Sequence, residues 1–568
     1  MFWTALLAAI LILTLAAGAG AQPLDIADFG ATPDDGEDDT AAFLEALEEV
    51  SRSGGGGVKL HPGRYDLTAG ANPESPRLLF PIADLEGFVI DGGGAELMIH
   101  GPNSLFHFSR CSDVTLRDFS IDQARAPFSQ GMVIAAEATS FDVRVDEEFP
   151  VSGGEGIGAF MNYDPETRLP ATGGLDIYHS VTETELIADQ TLRIHLNREI
   201  AVPVGDMVVL RHWVYGHNAI VFDRCTNVLV EDVTVYATPG MALIGMVCED
   251  VTLNRFDVIP TPGTGRIMSA TADATHFGGC KGTVTLTDCT FEGMGDDGAN
   301  VKSGLYLTVL EQVDERTILG QHNLQLTDLP DPGDTMELIH RDTLITFDSA
   351  VVAAASMEEG EGNIHRVEFE EPLPEGLGEG DLLGNATRTP RLRMTGCTVR
   401  RNRARGVLCQ TRDAIIEDCT FERCTSAGVL VMTEAIHFFE SIGTRDVTVR
   451  NCRFIECNYG AASGEGAIQA FAWLGDWEYP PQPGVHRNVT FEGNLISGTE
   501  QAGIFASGVD GLVIRGNTIE DACRNPLSEI GRAAIHVMSS EDVVIEDNEV
   551  DPAAQGEGCE WPVQVVDE

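Results

Sequence analysis

The stretch FEGMGDDGANVKSG, residues 291–304, sets Asp296 and Asp297 side by side between Gly295 and Gly298. Upstream, DATHFGGC (273–280) aligns with DGANVKSG (297–304) at an offset of 24: an aspartate, two residues, then His276 or Asn300 and an apolar residue. If one winding of a coiled scaffold takes about that many residues, Asp273 and Asp297 share a column on neighbouring windings. The flanking glycines allow a turn in which Asp296 faces the same groove rather than the core. Three carboxyls held that close cannot all ionise cheaply, so at least one keeps a proton near neutrality. A protonated carboxyl beside an ionised one is what glycoside hydrolysis uses, one protonating the leaving oxygen and the other activating water. A calcium site or a solvated acidic turn would use the same residue types.

Such a column needs a repeating scaffold. Ten segments supply it: DVTLRDFSI, NVLVEDVTV, DVTLNRFDV, TVTLTDCTF, RLRMTGCTV, DAIIEDCTF, DVTVRNCRF, NVTFEGNLI, GLVIRGNTI and DVVIEDNEV. Aligned after their polar turn residue, they give a column of Phe119, Val233, Phe256, Cys289, Cys397, Cys419, Cys452, Asn494, Asn517 and Asn548, with several steps of 22 or 23 residues. Short alternating strands at that period are the mark of a parallel β-solenoid, whose coils bury their inner faces only by stacking. The Leu-x-x-Leu-x-Leu frame of a leucine-rich repeat is absent. A second set (GMALIG, THFGGC, ANVKSG, GVLCQT, GVLVMT, AIQAFA, GIFASG, AIHVMS) predicts a second sheet of the same solenoid.

Two steps are far too long, 114 residues from Phe119 to Val233 and 108 from Cys289 to Cys397. Each holds a coil and an insert with β-like alternation, and the inserts share a phrase, VGDMVVLRH (204–212) and PGDTMELIH (332–340). We read them as two related β-barrel-like modules, because irregular loops of that length are uncommon in a compact domain. Near the start, Asp38 or Asp39 can cap a helix that shows Phe43, Leu47 and Val50 on one face and stops at Gly54–Gly57. It is placed to plug the open end of the solenoid. The expected organisation is a signal segment at 1–21, cap and first coils at 22–122, an insert at 123–213, coils with the aspartates at 214–304, a second insert at 305–390, and coils at 391–568.

Acidic residues number 89 against 36 basic, a formal charge of −53. That field argues against nucleic acid, anionic lipid and polyanionic polysaccharide as partners. Residues 1–21 are apolar and end in small residues, as a secretory signal does, and no later run is long enough to span a bilayer. The mature chain is expected outside the cytoplasm, extracellular or periplasmic, without a membrane association. The 13 cysteines are an odd number, so at least one has no partner within the chain. The Cys-x4-Cys pairs Cys419/Cys424 and Cys452/Cys457 lack companion ligands for zinc and read as small core residues.

The segment ADATHFGGCKG…CTFEGMGDDGANV resembles glycoside hydrolase family 110, secreted exo-acting α-1,3-galactosidases. RARGVLCQTRDAIIEDCTF (403–421), FFESIGTRDVTVRNCRF (438–454) and a β-helix with two inserted barrels look like the same family. The resemblance covers most of the mature chain. It implies an all-β, right-handed parallel β-helix, inverting hydrolysis of terminal α-galactose, no cofactor and no metal. It also implies Asp296 as general acid, with Asp273 and Asp297 positioning water. His276, Asn300 and Lys302 neighbour the trio and are candidates for binding sugar hydroxyls. Arg405, Arg412 and Glu440 come from the family-like segments. Trp473, Trp477 and Tyr479, from FAWLGDWEYPP (471–481), can stack on a sugar ring. A histidine is expected near Lys302 in that family, so the lysine leaves the sugar open. GDDGANVKSG also looks like the polygalacturonase signature, but the Gly-His-Gly and Arg-Ile-Lys motifs expected downstream are missing. A polysaccharide lyase and a non-catalytic carbohydrate-binding β-helix are the remaining readings, and a homo-oligomer is compatible with all of them.

Overall fold

The computed structural model describes residues 22–68, 70, 78–322, 329–358, 363–460, 464–475, 479, 482–551 and 559–566. The expected signal segment and Trp477 lie outside them.

The repeating segments form a 21-stranded sheet and a 12-stranded sheet whose helix-forming strands all pair in parallel, coil on coil. The column read from the sequence is a continuous ladder. Val233 pairs with both Phe119 and Phe256. Residues flanking Cys397, Cys419, Cys452, Asn494, Asn517 and Asn548 stay in register from coil to coil. The polar turn residue before each column position has φ between +51° and +68° in all ten coils, for example Asp118, Asp232, Asp418, Asn451 and Gly516. Only glycine and short polar residues visit that region readily, which is why the repeat reads Asp, Asn or Gly there. Arg255 occupies it once.

One apolar core runs through the coils from Ile26 to Cys559. All 13 cysteines are buried free thiols, and those of the ladder donate to backbone carbonyls, as Cys452 Sγ does to Arg450 O at 3.2 Å. Where the column turns to asparagine, the amides replace them. Asn517 Oδ1 accepts from the Asn494 N–H and Nδ2, both at 3.0 Å, and its Nδ2 donates to Phe491 O and Asn548 Oδ1, both at 2.9 Å.

The helix Thr40–Ser53 closes the N-terminal end, burying Phe43, Ala46, Leu47 and Val50. Phe43 packs edge-on to Tyr65 and stacks on Phe80. Asp38, not Asp39, supplies the capping oxygen to Thr40 N at 3.1 Å, while Asp39 turns to the Thr32 N–H. Gly54 ends the helix at φ +79°.

Both inserts are antiparallel β modules with their own cores. The first is a seven-stranded sheet that ends in open edges at Asp176–Tyr178 and Val181–Ala188, and the second is a closed six-stranded barrel between Leu307 and Asn385. The phrase they share forms strand Met207–Arg211 in one and Thr335–His340 in the other. Each of these strands fastens its module to the coils through one charge. Arg211 donates to Thr271 O at 3.1 Å and Gly295 O at 2.7 Å, and Glu337 accepts two bonds of 2.8 Å from Arg412. Among the described residues, no helix is long and apolar enough to cross a membrane.

Candidate active site

Strand Thr275–Gly278 pairs in parallel with Ala299–Lys302, and His276 lies opposite Asn300. Asp273 and Asp297 each precede these residues by three positions, so the 24-residue offset places them on adjacent coils. The Asp297 N–H donates to Asp273 Oδ1 at 3.3 Å. Carboxylate oxygens of Asp273, Asp296 and Asp297 lie within 4.8 Å of one another.

All six oxygens meet a protein partner. Arg403 Nη1 donates to Asp296 Oδ1 at 2.5 Å, and the Tyr215 hydroxyl donates to Oδ2. Asp297 accepts from the Arg405 N–H at 2.9 Å and from its guanidinium at 2.8 Å. Asp273 Oδ2 shares a 2.8 Å hydrogen bond with His276 Nδ1. Three convergent carboxylates are a donor set suited to a divalent cation, but here two guanidiniums already supply the compensating charge.

Burial dominates the titration of the trio and raises both Asp273 and Asp297 well above the ordinary aspartate range, with the neighbouring Asp296 charge adding to it. No cation touches Asp273, whose oxygens meet only His276 Nδ1 and the Asp297 N–H. Burial also pushes on Asp296, but the charges of Arg403 and Arg405 and the Tyr215 hydroxyl outweigh it, so Asp296 titrates below its usual value. His276 is pushed down to about 3 by burial and by Lys302, and is neutral at working pH. The resting trio is therefore one fixed anion, Asp296, beside a buried pair that retains a proton.

The trio lines a cavity of about 580 Å³. His276, Asn300, Arg405, Glu440, Trp473 and Tyr479 line it too. Asn300 Oδ1 is buried without a protein partner, leaving an acceptor for an incoming hydroxyl. Lys302 is tied to Glu440 and lines a neighbouring cavity of about 310 Å³ instead. The charge of Lys302 holds Glu440 below the usual carboxylate range against the effect of burial. Arg412 is placed elsewhere. It opens strand Arg412–Glu417 of the 21-stranded sheet, whereas the site stands on the 12-stranded sheet, and its guanidinium is spent on Glu337 of the second insert. Arg412, expected at the substrate site, does not line the cavity that holds the trio.

Four site residues went unread in the sequence. Tyr178, Arg211 and Tyr215 arrive from the first insert and its exit, outside any repeat, and Arg403 from the coil after the second. Arg211 is fully buried and holds the carbonyl of Gly295 at the doublet turn, while its guanidinium and that of Arg403 both face the Tyr178 ring, at 4.8 and 5.3 Å. Arg403 bridges Asp176 and Asp296. The one available signal was the alternation Arg403-Ala404-Arg405, which sets two cations on one side of a turn facing two adjacent aspartates.

Residues 376–471 match the family described as Right handed beta helix region, and residues 327–383 match GLAA-B beta-barrel domain II. The chain is 27% identical over 548 aligned positions to Alpha-1,3-galactosidase A of Bacteroides fragilis, covering 89% of this chain and 88% of that one. It is 27% identical over 593 positions to Alpha-1,3-galactosidase B of Bacteroides thetaiotaomicron, covering 96% and 94%. Alpha-1,3-galactosidase A of Shewanella woodyi is 26% identical over 562 positions, covering 93% and 90%. The chain is a right-handed parallel β-helix protein similar to glycoside hydrolase family 110 over most of its length.

Proposed function

We propose that this protein is an exported glycoside hydrolase that releases terminal α-linked galactose, α-1,3-linked as in its relatives, with inversion of configuration. One observation carries the reading: Asp273, Asp296 and Asp297 converge within 4.8 Å in a cavity large enough for more than one sugar ring. The similarity to α-1,3-galactosidases across most of both chains supplies the substrate class.

In this reading Asp296, the most exposed of the three at 10% of its side chain, protonates the leaving oxygen. Asp273 and Asp297 hold the attacking water and take its proton. The resting distribution, with Asp296 ionised and a proton on the buried pair, is the one such a turnover leaves behind. A proton then moves from the pair back to Asp296 within the cluster when the next sugar seats and displaces the Tyr215 contact. Each turnover consumes one water: its proton replaces, on the pair, the one Asp296 gave to the leaving oxygen, so the site carries one proton throughout.

The usual spacing rule for two carboxyls, roughly 5–5.5 Å for retention and 6.5–9.5 Å for inversion, taken alone favours retention here. Three carboxyls change the geometry, because two can flank a water while the third faces the leaving group. Proton NMR of the freshly released sugar, over a panel of α- and β-linked terminal galactosides, reports sugar, linkage and stereochemistry together. Initial release of β-galactose from α-galactosides is the expected result. Initial release of α-galactose refutes inversion, and full turnover in Asp296→Asn and Asp297→Asn variants refutes the site.

A further inference from the structure

The helix Thr40–Ser53 closes one end of the solenoid, whereas the other end finishes on strands. Trp561–Val566 is the last rung of the 12-stranded sheet and pairs with Ala533–Met538 alone. On the terminal strands of the two sheets Val544, Val563 and Val565 stand 39–51% exposed. A strand held from one side frays first, because its outer N–H and C=O groups have no ladder partner.

Two cysteines meet beside this end. Cys559 precedes the last rung, and Cys523 precedes the rung it pairs with, in the turn after strand Thr518–Glu520. The Cys523 thiol donates to Cys559 Sγ at 2.7 Å, about 0.7 Å beyond the length of a disulfide bond. In the ladders farther up the solenoid the thiols donate to backbone carbonyls, as Cys225 does to Phe108 O at 3.5 Å, and Cys280 to Gly245 O and Cys457 to Phe421 O at 3.4 Å. Both residues of the terminal pair are buried, Cys523 fully and Cys559 at 6% exposure. The hydrogen bond from Cys523 holds the Cys559 thiol below its ordinary range against the effect of burial, which makes Cys559 the more readily ionised of the two.

We infer that Cys523 and Cys559 are an oxidisable pair whose disulfide fastens the terminal strand to the rung before it. The oxidant is a small-molecule or protein disulfide met outside the cytoplasm, so the inference rests on the export in the reading above. The Cys559 thiolate attacks one sulfur of that disulfide, expelling a thiolate and leaving a mixed disulfide. The Cys523 thiolate then attacks the Cys559 sulfur and expels the second. The protein thiols give up two electrons and two protons, and one external disulfide becomes two thiols. The bond closes a loop across 36 positions of the chain, and the other 11 cysteines, 13 less two, stay reduced in the core.

The test incubates the folded, reduced full chain with oxidised glutathione, then denatures and alkylates it. We expect 11 of the 13 cysteines to be alkylated, and trypsin to release residues 516–524 joined to residues 533–568, the fragments that carry Cys523 and Cys559. A loop of this length is worth at least about a hundredfold in the opening equilibrium, so hydrogen exchange in strand Trp561–Val566 should slow by about that factor on oxidation. Cys559→Ser and Cys523→Ala should exchange at the reduced rate with or without oxidant. Thirteen alkylated cysteines, or a disulfide joining other positions, overturns the pair, and equal exchange in the reduced and oxidised parent overturns the fastening. Chain recovered from the periplasm or medium of an expressing bacterium should carry the bond before any treatment. Recovery from the cytoplasm alone overturns the export reading and leaves the glutathione arm to decide the pair.

Discussion

Replacing Asp273 by asparagine should stabilise the fold while disabling the chemistry. Asp273 is the one member of the trio without a cation: its oxygens meet the Asp297 N–H and an imidazole that burial keeps neutral. A like charge 4.8 Å away costs about 3.5 kcal/mol at an effective dielectric of about 20. Protonation caps the penalty. At pH 7.5 it cannot exceed proton uptake from solvent, about 1.36 kcal/mol for each of the roughly 3.6 pH units above the unfolded value, or about 5 kcal/mol. Asparagine keeps the shape and the acceptor for the Asp297 N–H, and removes the charge. We expect a gain of about 2–4 kcal/mol at pH 7.5. Because burial raises the native pKa of Asp273, the native state holds a proton that the unfolded chain releases above about pH 4. Stability of the parent protein is therefore lost as pH rises from there towards the raised value, and the variant lacks that loss. Urea midpoints followed by tryptophan fluorescence at pH 4.5 and 7.5 read the difference, which should shrink at the lower pH. Galactose release should fall by about 10²–10⁴-fold, the usual worth of a positioned base. A variant no more stable than its parent at pH 7.5, or a gain independent of pH, refutes the electrostatic account of the trio.

Tyr215→Phe removes a charge-assisted hydrogen bond to Asp296, worth about 1.5 kcal/mol, so the limb of the kcat/KM–pH profile, which reports the free enzyme, should move up by about one unit, and an unmoved kcat/KM profile rules the contact out. Arg412→Met should lower the unfolding free energy read from urea curves by about 2 kcal/mol, since Arg445 still reaches Glu337 at 3.1 Å, while kcat/KM stays within about threefold; a large loss of kcat/KM would return Arg412 to the substrate site. Asn517→Ala breaks four ladder hydrogen bonds and should cost about 2–4 kcal/mol in the same assay, with a smaller effect arguing that the amide column is ornamental to stability.

The scaffold was legible because a solenoid writes its geometry into the chain. Cys397, Cys419 and Cys452 recur where the same inward step recurs, and the residues before them, Gly396, Asp418 and Asn451, sit where the backbone must turn left-handed. The pairing of Asp273 with Asp297 followed from the same arithmetic, since an offset of one coil in sequence is one rung in space. What the arithmetic does not reach is anything arriving from outside the repeat. Tyr215, Tyr178 and Arg211 come from the first insert and its exit, where no period links them to residue 296. Arg412 misled for the opposite reason. It lies two residues beyond the site-facing strand Val407–Gln410, but the chain turns a corner at Thr411, and the next side chain belongs to a different face of the coil. The order of protons within the trio was equally out of reach. Adjacent aspartates read alike in one dimension, and only the placement of Arg403 and Arg405 tells them apart.

The first insert enters the chain two coils ahead of the carboxylates, and the second enters directly after strand Ala299–Lys302, which follows Asp297. In a stacked array each layer answers only to its neighbours, so material added at a corner leaves the register above and below intact. Here such additions lie on either side of the working layers, and one of them reaches across two coils to grip the bend at Gly295 through the buried Arg211. An added module can therefore change what surrounds the carboxylates without shifting the strands that carry them.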